Sequence, residues 1–141
     1  MVIVFIACSP NDKKTDATDN SKVNNAAALL ADSANYTTIQ WLDSTYRDMG
    51  KIKKGDMMEI TFRFKNTGNK PLVIADVTAG CGCTVPEKPT EPYPPGKEGV
   101  IKAKFDSKNQ QPGEHTKNVT VTANTSPETY HSLTFRVDVI E

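Results

Sequence analysis

Residues 62–86 read FRFKNTGNKPLVIADVTAGCGCTVP, and this stretch decides the fold. It begins inside an alternating run, Met57 to Lys65, in which Met58, Ile60, Phe62 and Phe64 share one face. Glu59, Thr61, Arg63 and Lys65 share the other. A period of two marks a strand with one buried and one wet face. The turn Asn66-Thr67-Gly68-Asn69-Lys70-Pro71 then supplies residues tolerant of positive φ, and a proline that stops the ladder. Leu72 to Val77 resumes as a more apolar strand, with Ala75-Asp76 breaking the alternation and predicting a bulge. The stretch closes on Cys81-Gly82-Cys83-Thr84.

The chain on either side reads the same way. Downstream, Pro86, Pro89, Pro92, Pro94 and Pro95 forbid a central strand and predict an extended crossover loop. Gly99 to Phe105 is a strand with Ile101, Ala103 and Phe105 inward. Thr116 to Ala123 follows with Val119 and Val121 inward, and Leu133, Phe135, Val137 and Val139 line the last strand. Upstream, Thr37 to Leu42 places Ile39 and Trp41 on one face, Trp41 as a core-edge anchor. Tyr46 to Ile52 reads as a short edge strand before the Lys54-Gly55-Asp56 turn. About seven short strands with no helix among them predict an all-β domain, an immunoglobulin-like sandwich of two antiparallel sheets.

The alternation stops at residue 36. Residues 9–35 are rich in Asn, Asp, Ser, Thr and Lys and carry no aromatic residue. Such a segment cannot bury enough apolar area to offset its ordering entropy, so it is expected to be a flexible tether with a reach of roughly 25–30 Å. Within it, Ala26 to Ala31 has the composition for a helical turn or two, or for packing on the domain. Ahead of it stands MVIVFIAC, an apolar run that ends on Ala7 and Cys8. This resembles the end of a bacterial lipoprotein signal peptide, in which the cysteine after the cleavage point is acylated. It departs from that pattern in lacking a basic start and in being far shorter than the roughly 15–30 residues of a secretory signal. Cys8 is read as the lipidation site, residues 1–7 as the remnant of a signal peptide, 8–35 as tether and 36–141 as the domain. The implied location is the bacterial envelope, on an outer-membrane lipoprotein. The alternative is a fortuitously apolar start with a buried cysteine.

The 17 basic residues balance 17 acidic ones, which argues against a nucleic-acid partner. No Gly-x-Ser-x-Gly, His-Glu-x-x-His or phosphate-cradling glycine loop occurs in the chain. Asn118-Val119-Thr120 matches a glycosylation acceptor of eukaryotic secretion, which a bacterial lipoprotein would not use.

Three features together carry a family resemblance. They are Phe64-Lys-Asn66-Thr-Gly68-Asn-Lys-Pro-Leu-Val-Ile74, then Cys81-Gly82-Cys83-Thr84 with Pro86, then Pro95-Gly96 ahead of the Ile101 to Phe105 strand. They resemble the bacterial family called domain of unknown function 1573, mostly exported or lipid-anchored proteins common in Bacteroidetes. The Phe-x-Asn-x-Gly portion also resembles the immunoglobulin-like group that includes the major sperm protein and the cilium-associated ASH domains. The resemblance covers about Met49 to Glu141 and implies a fold and an envelope location, but no activity.

Three readings of Cys81 and Cys83 stay open. They are two small buried side chains at a sheet end, free or bridged in an oxidising compartment. Alternatively they are soft thiolate ligands for Cu(I) or Zn²⁺, which would need His115, His131, Met49, Met57 or Met58 brought close. Both histidines are otherwise expected in solvent. Thirdly, they are a redox pair, although reactive pairs usually have two intervening residues and a helix N-terminus. The expectation is a non-enzymatic, lipid-anchored module without a cofactor, binding an envelope protein or glycan. Metal handling or thiol redox chemistry at Cys81 and Cys83 is the alternative.

Overall fold

A computed structural model describes residues 21–141, with side chains from residue 26 onward. Residues 1–20, and with them the leader, Cys8 and the first part of the expected tether, lie outside the described residues. The order is helix α1 (Ser21–Ala31), a 3-10 turn (Ser33–Asn35), then eight strands. These are β1 (Ile39–Trp41), β2 (Tyr46–Lys53), β3 (Met57–Asn66), β4 (Ile74–Ala79), β5 (Thr84–Glu87), β6 (Glu98–Asp106), β7 (Gly113–Ala123) and β8 (Tyr130–Ile140).

The strands form two four-stranded sheets, ordered β1-β3-β6-β5 and β2-β8-β7-β4. The first matches the A-B-E-D sheet of an immunoglobulin domain; β4, β7 and β8 match C-F-G, with β2 added beside the last strand. The inward sets meet in one core. Ile60, Phe62, Phe64, Ile101, Ala103 and Phe105 come from one sheet, Val119, Val121, Leu133, Phe135, Val137 and Val139 from the other, all at most 1% exposed. Phe105 and Phe135 meet edge to face across the two sheets, ring centroids 5.8 Å apart. The predicted bulge is present: the β4–β7 register slips between Ile74 and Asp76.

Two expectations need correction, and a third is met in part. The first concerns direction: among the described residues there are eight strands, close to the number expected, but β2 pairs with β8 in parallel. The physical reason lies in residues 42–45, which carry the chain from one sheet to the other without reversing it. Asp43 holds that crossing by accepting from the Arg63 backbone N–H (2.9 Å) and from its guanidinium (2.9 and 3.2 Å). Those bonds hold the half-buried Asp43 carboxyl down to a pKa of about 2. The second concerns the proline-rich stretch, whose start, Thr84–Glu87, is itself a strand. It sits on a sheet edge, where Pro86 has no ladder bond to lose. The third concerns the segment before residue 36, where the helical turn expected over Ala26 to Ala31 is present. Its last part is helical, and Tyr36 donates from its hydroxyl to the Leu30 carbonyl (2.8 Å). Asn124 reaches the Asn35 carbonyl (2.9 Å), so side-chain bonds from the sandwich supply the ordering that composition alone did not.

Candidate functional site: two ends of one sandwich

The chemistry-bearing residues collect at the two ends of the sandwich. β3 runs from one end to the other, pairing Met57 with Asp106 at its start and Lys65 with Glu98 near its finish.

At the finish stands Asn66, fully buried. Its Oδ1 accepts from the Thr37 hydroxyl (2.7 Å) and the Gly68 N–H (3.1 Å). Its Nδ2 donates to the carbonyls of Lys70 (2.8 Å) and Tyr93 (2.9 Å). Its own backbone N–H bonds Lys97, and its carbonyl accepts from Gly96, which sits at φ 81°. One amide therefore ties three segments together, with all its donors and acceptors used. Gly68 leaves no choice of residue, because a Cβ there would lie 2.0 Å from the Thr37 Oγ1. Phe64 packs edge to face on Trp41 (5.7 Å) and Tyr93 (4.9 Å). Pro95 is exposed in the loop beside it.

Several residues here were not foreseen. Asn124, 1% exposed, accepts from the Val73 N–H (2.7 Å) and donates to Pro71 (2.9 Å) and Asn35. It serves the same function as Asn66 but lies in a Asn-Thr-Ser-Pro run that reads as an ordinary turn. Gly99 is where Phe64 and Tyr93 close in, each ring 2.5 Å from a would-be Cβ. A glycine inside an alternating strand was the available signal.

His131 corrects the expectation of a solvent position. It is half-buried, its Nδ1 3.4 Å from the Trp41 Nε1 and its Nε2 2.7 Å from the Thr125 hydroxyl. The indole N–H can only donate, so Nδ1 must accept and the proton resides on Nε2. The Thr125 hydroxyl then donates to the Glu128 carbonyl (2.5 Å). Burial pushes the imidazole pKa down, against a smaller opposing effect of Glu128. His115 is far from this cluster in the strand register, its Nε2 2.6 Å from the Gln111 carbonyl.

The other end holds Cys81 and Cys83, joined in a disulfide with Cα atoms 5.3 Å apart. The bridge lies in the crossover between β4 in one sheet and β5 in the other. Around it, Thr84 N–H bonds the Cys81 carbonyl (3.3 Å), and Asp106 N–H bonds that of Cys83 (2.9 Å). Gly80 N–H bonds Asn118 (3.4 Å). Thr84 is buried with its hydroxyl 3.7 and 3.9 Å from the two sulfurs. Cys83 packs on the core, Gly82 is exposed and Pro86 is half-buried in β5. Shallow depressions flank the bridge. One, about 270 Å³, is lined by Gly82, Cys83, Asp106, Asn109 and Gln110; the other, about 260 Å³, by Gly80, Cys81, Thr116, Lys117 and Asn118.

In the bridged form neither sulfur is a thiolate, so neither acts as a metal ligand until the bridge is reduced. Among the described residues, no group of three or more His, Cys, Asp and Glu is gathered where it could hold an ion. Of the candidates named from sequence, then, Cys81 meets Cys83 and Asn66 meets Gly68 and Gly96. Neither histidine joins the cysteines.

No curated protein sequence matches the chain. Among solved structures it is similar to a protein of unknown function from Porphyromonas gingivalis W83. The identity is 17% and the TM-score 0.66, over 76% of this chain and 49% of that one. The chain thus spans about half the length of that relative. It is also similar to the ASH/PapD-like domain 7 of human CEP192 (10% identity, TM-score 0.55, 74% of this chain and 85% of that one). A third likeness is to a chain of the CsuC–CsuE chaperone–tip subunit pre-assembly complex of Acinetobacter baumannii. There the identity is 13% and the TM-score 0.51, over 71% and 57% of the two chains. At such identities the likeness is one of fold. Residues 39–139 match the family described as protein of unknown function (DUF1573), a match that runs from β1 into β8. The chain belongs to the DUF1573 family.

Proposed function

We propose that the protein is a non-enzymatic binding module of the bacterial cell envelope, held to a membrane by a lipid on Cys8. The observation that carries this is the Cys81–Cys83 bridge at the sheet-to-sheet crossover. Disulfides persist in oxidising compartments and are rare in the cytosol, so the bridge supports export. The apolar MVIVFIAC run supports the same compartment and names the anchoring residue. The fold adds a rigid body with four sheet-edge strands and loop clusters at both ends, surfaces by which sandwiches of this type take partners.

The test is fractionation of the native bacterium with mass spectrometry of the exported chain. The wild type should partition with membranes and carry acyl groups on Cys8, and Cys8→Ser should move to the soluble fraction still folded. A wild-type chain that is soluble and unacylated would sink the anchored reading.

A second reading, thiol exchange at the same bridge, is favoured by one observation. Cys81 and Cys83 each line a surface depression, so a small thiol has a path to the sulfurs. Alkylation after mild reduction, with and without the Cys81→Ser change, separates a reachable bridge from an inert one.

A further inference from the structure

The two outward faces of the sandwich differ in kind. On the sheet of β1, β3, β6 and β5 the outward rows are charged: Glu59 stands opposite Lys104, and Lys102 opposite Glu87. That is an ordinary solvated face. On the sheet of β2, β8, β7 and β4 the central outward positions carry hydroxyls and an amide instead. Asn118 stands opposite Thr134, and Thr120 lies between Ser132 on one side and Thr78 on the other.

These groups are bonded to one another. Asn118 donates from Nδ2 to the Ser132 hydroxyl and to the Thr134 hydroxyl (3.3 Å), and its Oδ1 accepts from Thr120 (3.3 Å). As acceptors from Asn118, Ser132 and Thr134 keep their own hydroxyl protons to donate outward. The array is therefore oriented before any ligand arrives. Two tyrosines border it. Tyr130, 69% exposed, lies on the same face of β8 two residues before Ser132; Tyr46, 51% exposed, stands opposite Thr134 on β2. From strand spacing the two rings are about 14 Å apart, the length of a short oligosaccharide. The depression lined by Thr116, Asn118 and Cys81 opens beside the array.

The charge pattern selects the class of ligand. The array itself holds no charged side chain; Arg136 on that face is already paired with Asp48 (3.0 Å) and Glu114 (2.6 Å), and Lys117 lies outside the array, lining the depression beside it. An anionic ligand finds no cation within the array to pair with. A protein partner is a poorer match at the centre of the face, where Asn118, Thr120, Ser132 and Thr134 stand in place of the Met, Arg and aromatic side chains that interface cores favour. A neutral polyhydroxylated ligand fits, because sugar hydroxyls pair with oriented Thr, Ser and Asn groups. Sugar C–H faces, in turn, stack on exposed tyrosine rings.

We propose that this face binds a neutral glycan, with Asn118, Thr120, Ser132 and Thr134 as the polar platform and Tyr46 and Tyr130 as stacking residues. The proposal rests on the binding-module reading and names the ligand class for it. The full chain, disulfide intact, is titrated with linear oligomers of glucose, xylose, mannose and N-acetylglucosamine while backbone amide shifts are followed. At least one should bind, with shifts centred on 118–120 and 132–134. Two ring contacts of ordinary strength imply a loss on the order of tenfold in affinity for the Tyr46→Ala, Tyr130→Ala double variant. Both rings are exposed, so that variant should melt with the wild type. Affinity should be unchanged by added salt. No binding to any of the oligomers, shifts centred on the other sheet, or an affinity that falls with salt would each overturn the proposal. The Cys8→Ser fractionation above reads anchoring separately, so failure of one is not failure of the other.

Discussion

The two ends of this sandwich are held together by different means. At one, Asn66 and Asn124 are buried amides that bond mostly backbone groups of neighbouring segments, Asn66 also accepting from the Thr37 hydroxyl. At the other, a covalent bridge closes the crossover, and the nearby backbone is held by Ser107. Its buried hydroxyl contacts the Lys53 and Asp56 carbonyls (3.0 and 2.7 Å) and the Gly55 N–H (3.0 Å). At the asparagine end, removing either amide strands several buried groups at once, and the depression there, about 250 Å³ and lined by Asn35, Lys70, Pro71 and Val73, reaches the backbone the amides hold rather than the amides themselves. The cysteine end is open on two sides to surface depressions. Buried amides suit a structural role, and a bridge whose cysteines line the surface suits chemistry or contact.

The contrast can be broken by substitution, beginning where the effect is largest. Asn66→Ala should cost about 3 kcal/mol or more, because it leaves the Thr37, Gly68, Lys70 and Tyr93 groups unpaired in the interior. Urea unfolding measures it; a loss near that of a surface change would mean water replaces the amide. Gly68→Ala comes next, at about 2 kcal/mol, since the new Cβ must displace Thr37. If the two ends differ as argued, the Cys81→Ser, Cys83→Ser double variant should cost less than either. The bridge spans a separation of two residues, and so short a loop implies at most about 1.5 kcal/mol from chain entropy. A loss larger than that of Asn66→Ala would reverse the assignment of structural and accessible ends.

The smallest effect is one of pH and sharpens the asparagine end. His131 is held neutral, with its folded pKa below the ordinary value near 6.5. The unfolded chain therefore binds more protons in the window between the two values, and stability should rise with pH across it. Full stability is present above about 6.5 and is lost on acidification through that value. Protonation removes the acceptor that faces the Trp41 N–H. His131→Gln should remove the step from a plot of unfolding midpoint against pH; a step that survives belongs to another group.

Much of this was legible in one dimension. The Met57 to Lys65 alternation put Ile60, Phe62 and Phe64 in the core, and the later strands did the same for Ile101, Phe105, Val121 and Phe135. The bulge at Ala75-Asp76 was readable because a missed beat in a period of two is a local event. The candidate site was less legible. Asn66 stood out only through its neighbours Phe64 and Gly68, and Asn124 did not stand out at all. Its partners, at Asn35, Pro71 and Val73, are distant in the chain. The Thr-Ser-Asn platform escaped notice as well, since Asn118 and Thr134 become neighbours only when β7 pairs with β8.

What the sequence by itself determined is the set of residues that face inward, the turns between strands, and the family. Side-chain alternation, proline and glycine act over a few residues, so their message survives without a structure. What only the tertiary structure decided is which strands meet, and therefore that β2 runs parallel to β8 and that the cysteine pair spans the crossover between sheets. It also decided that His131 is drawn under Trp41 and Thr125. Inward-facing patterns specify a face and not a partner. The partner is chosen by packing across the whole chain, where amides, hydroxyls and the imidazole find the groups that satisfy them.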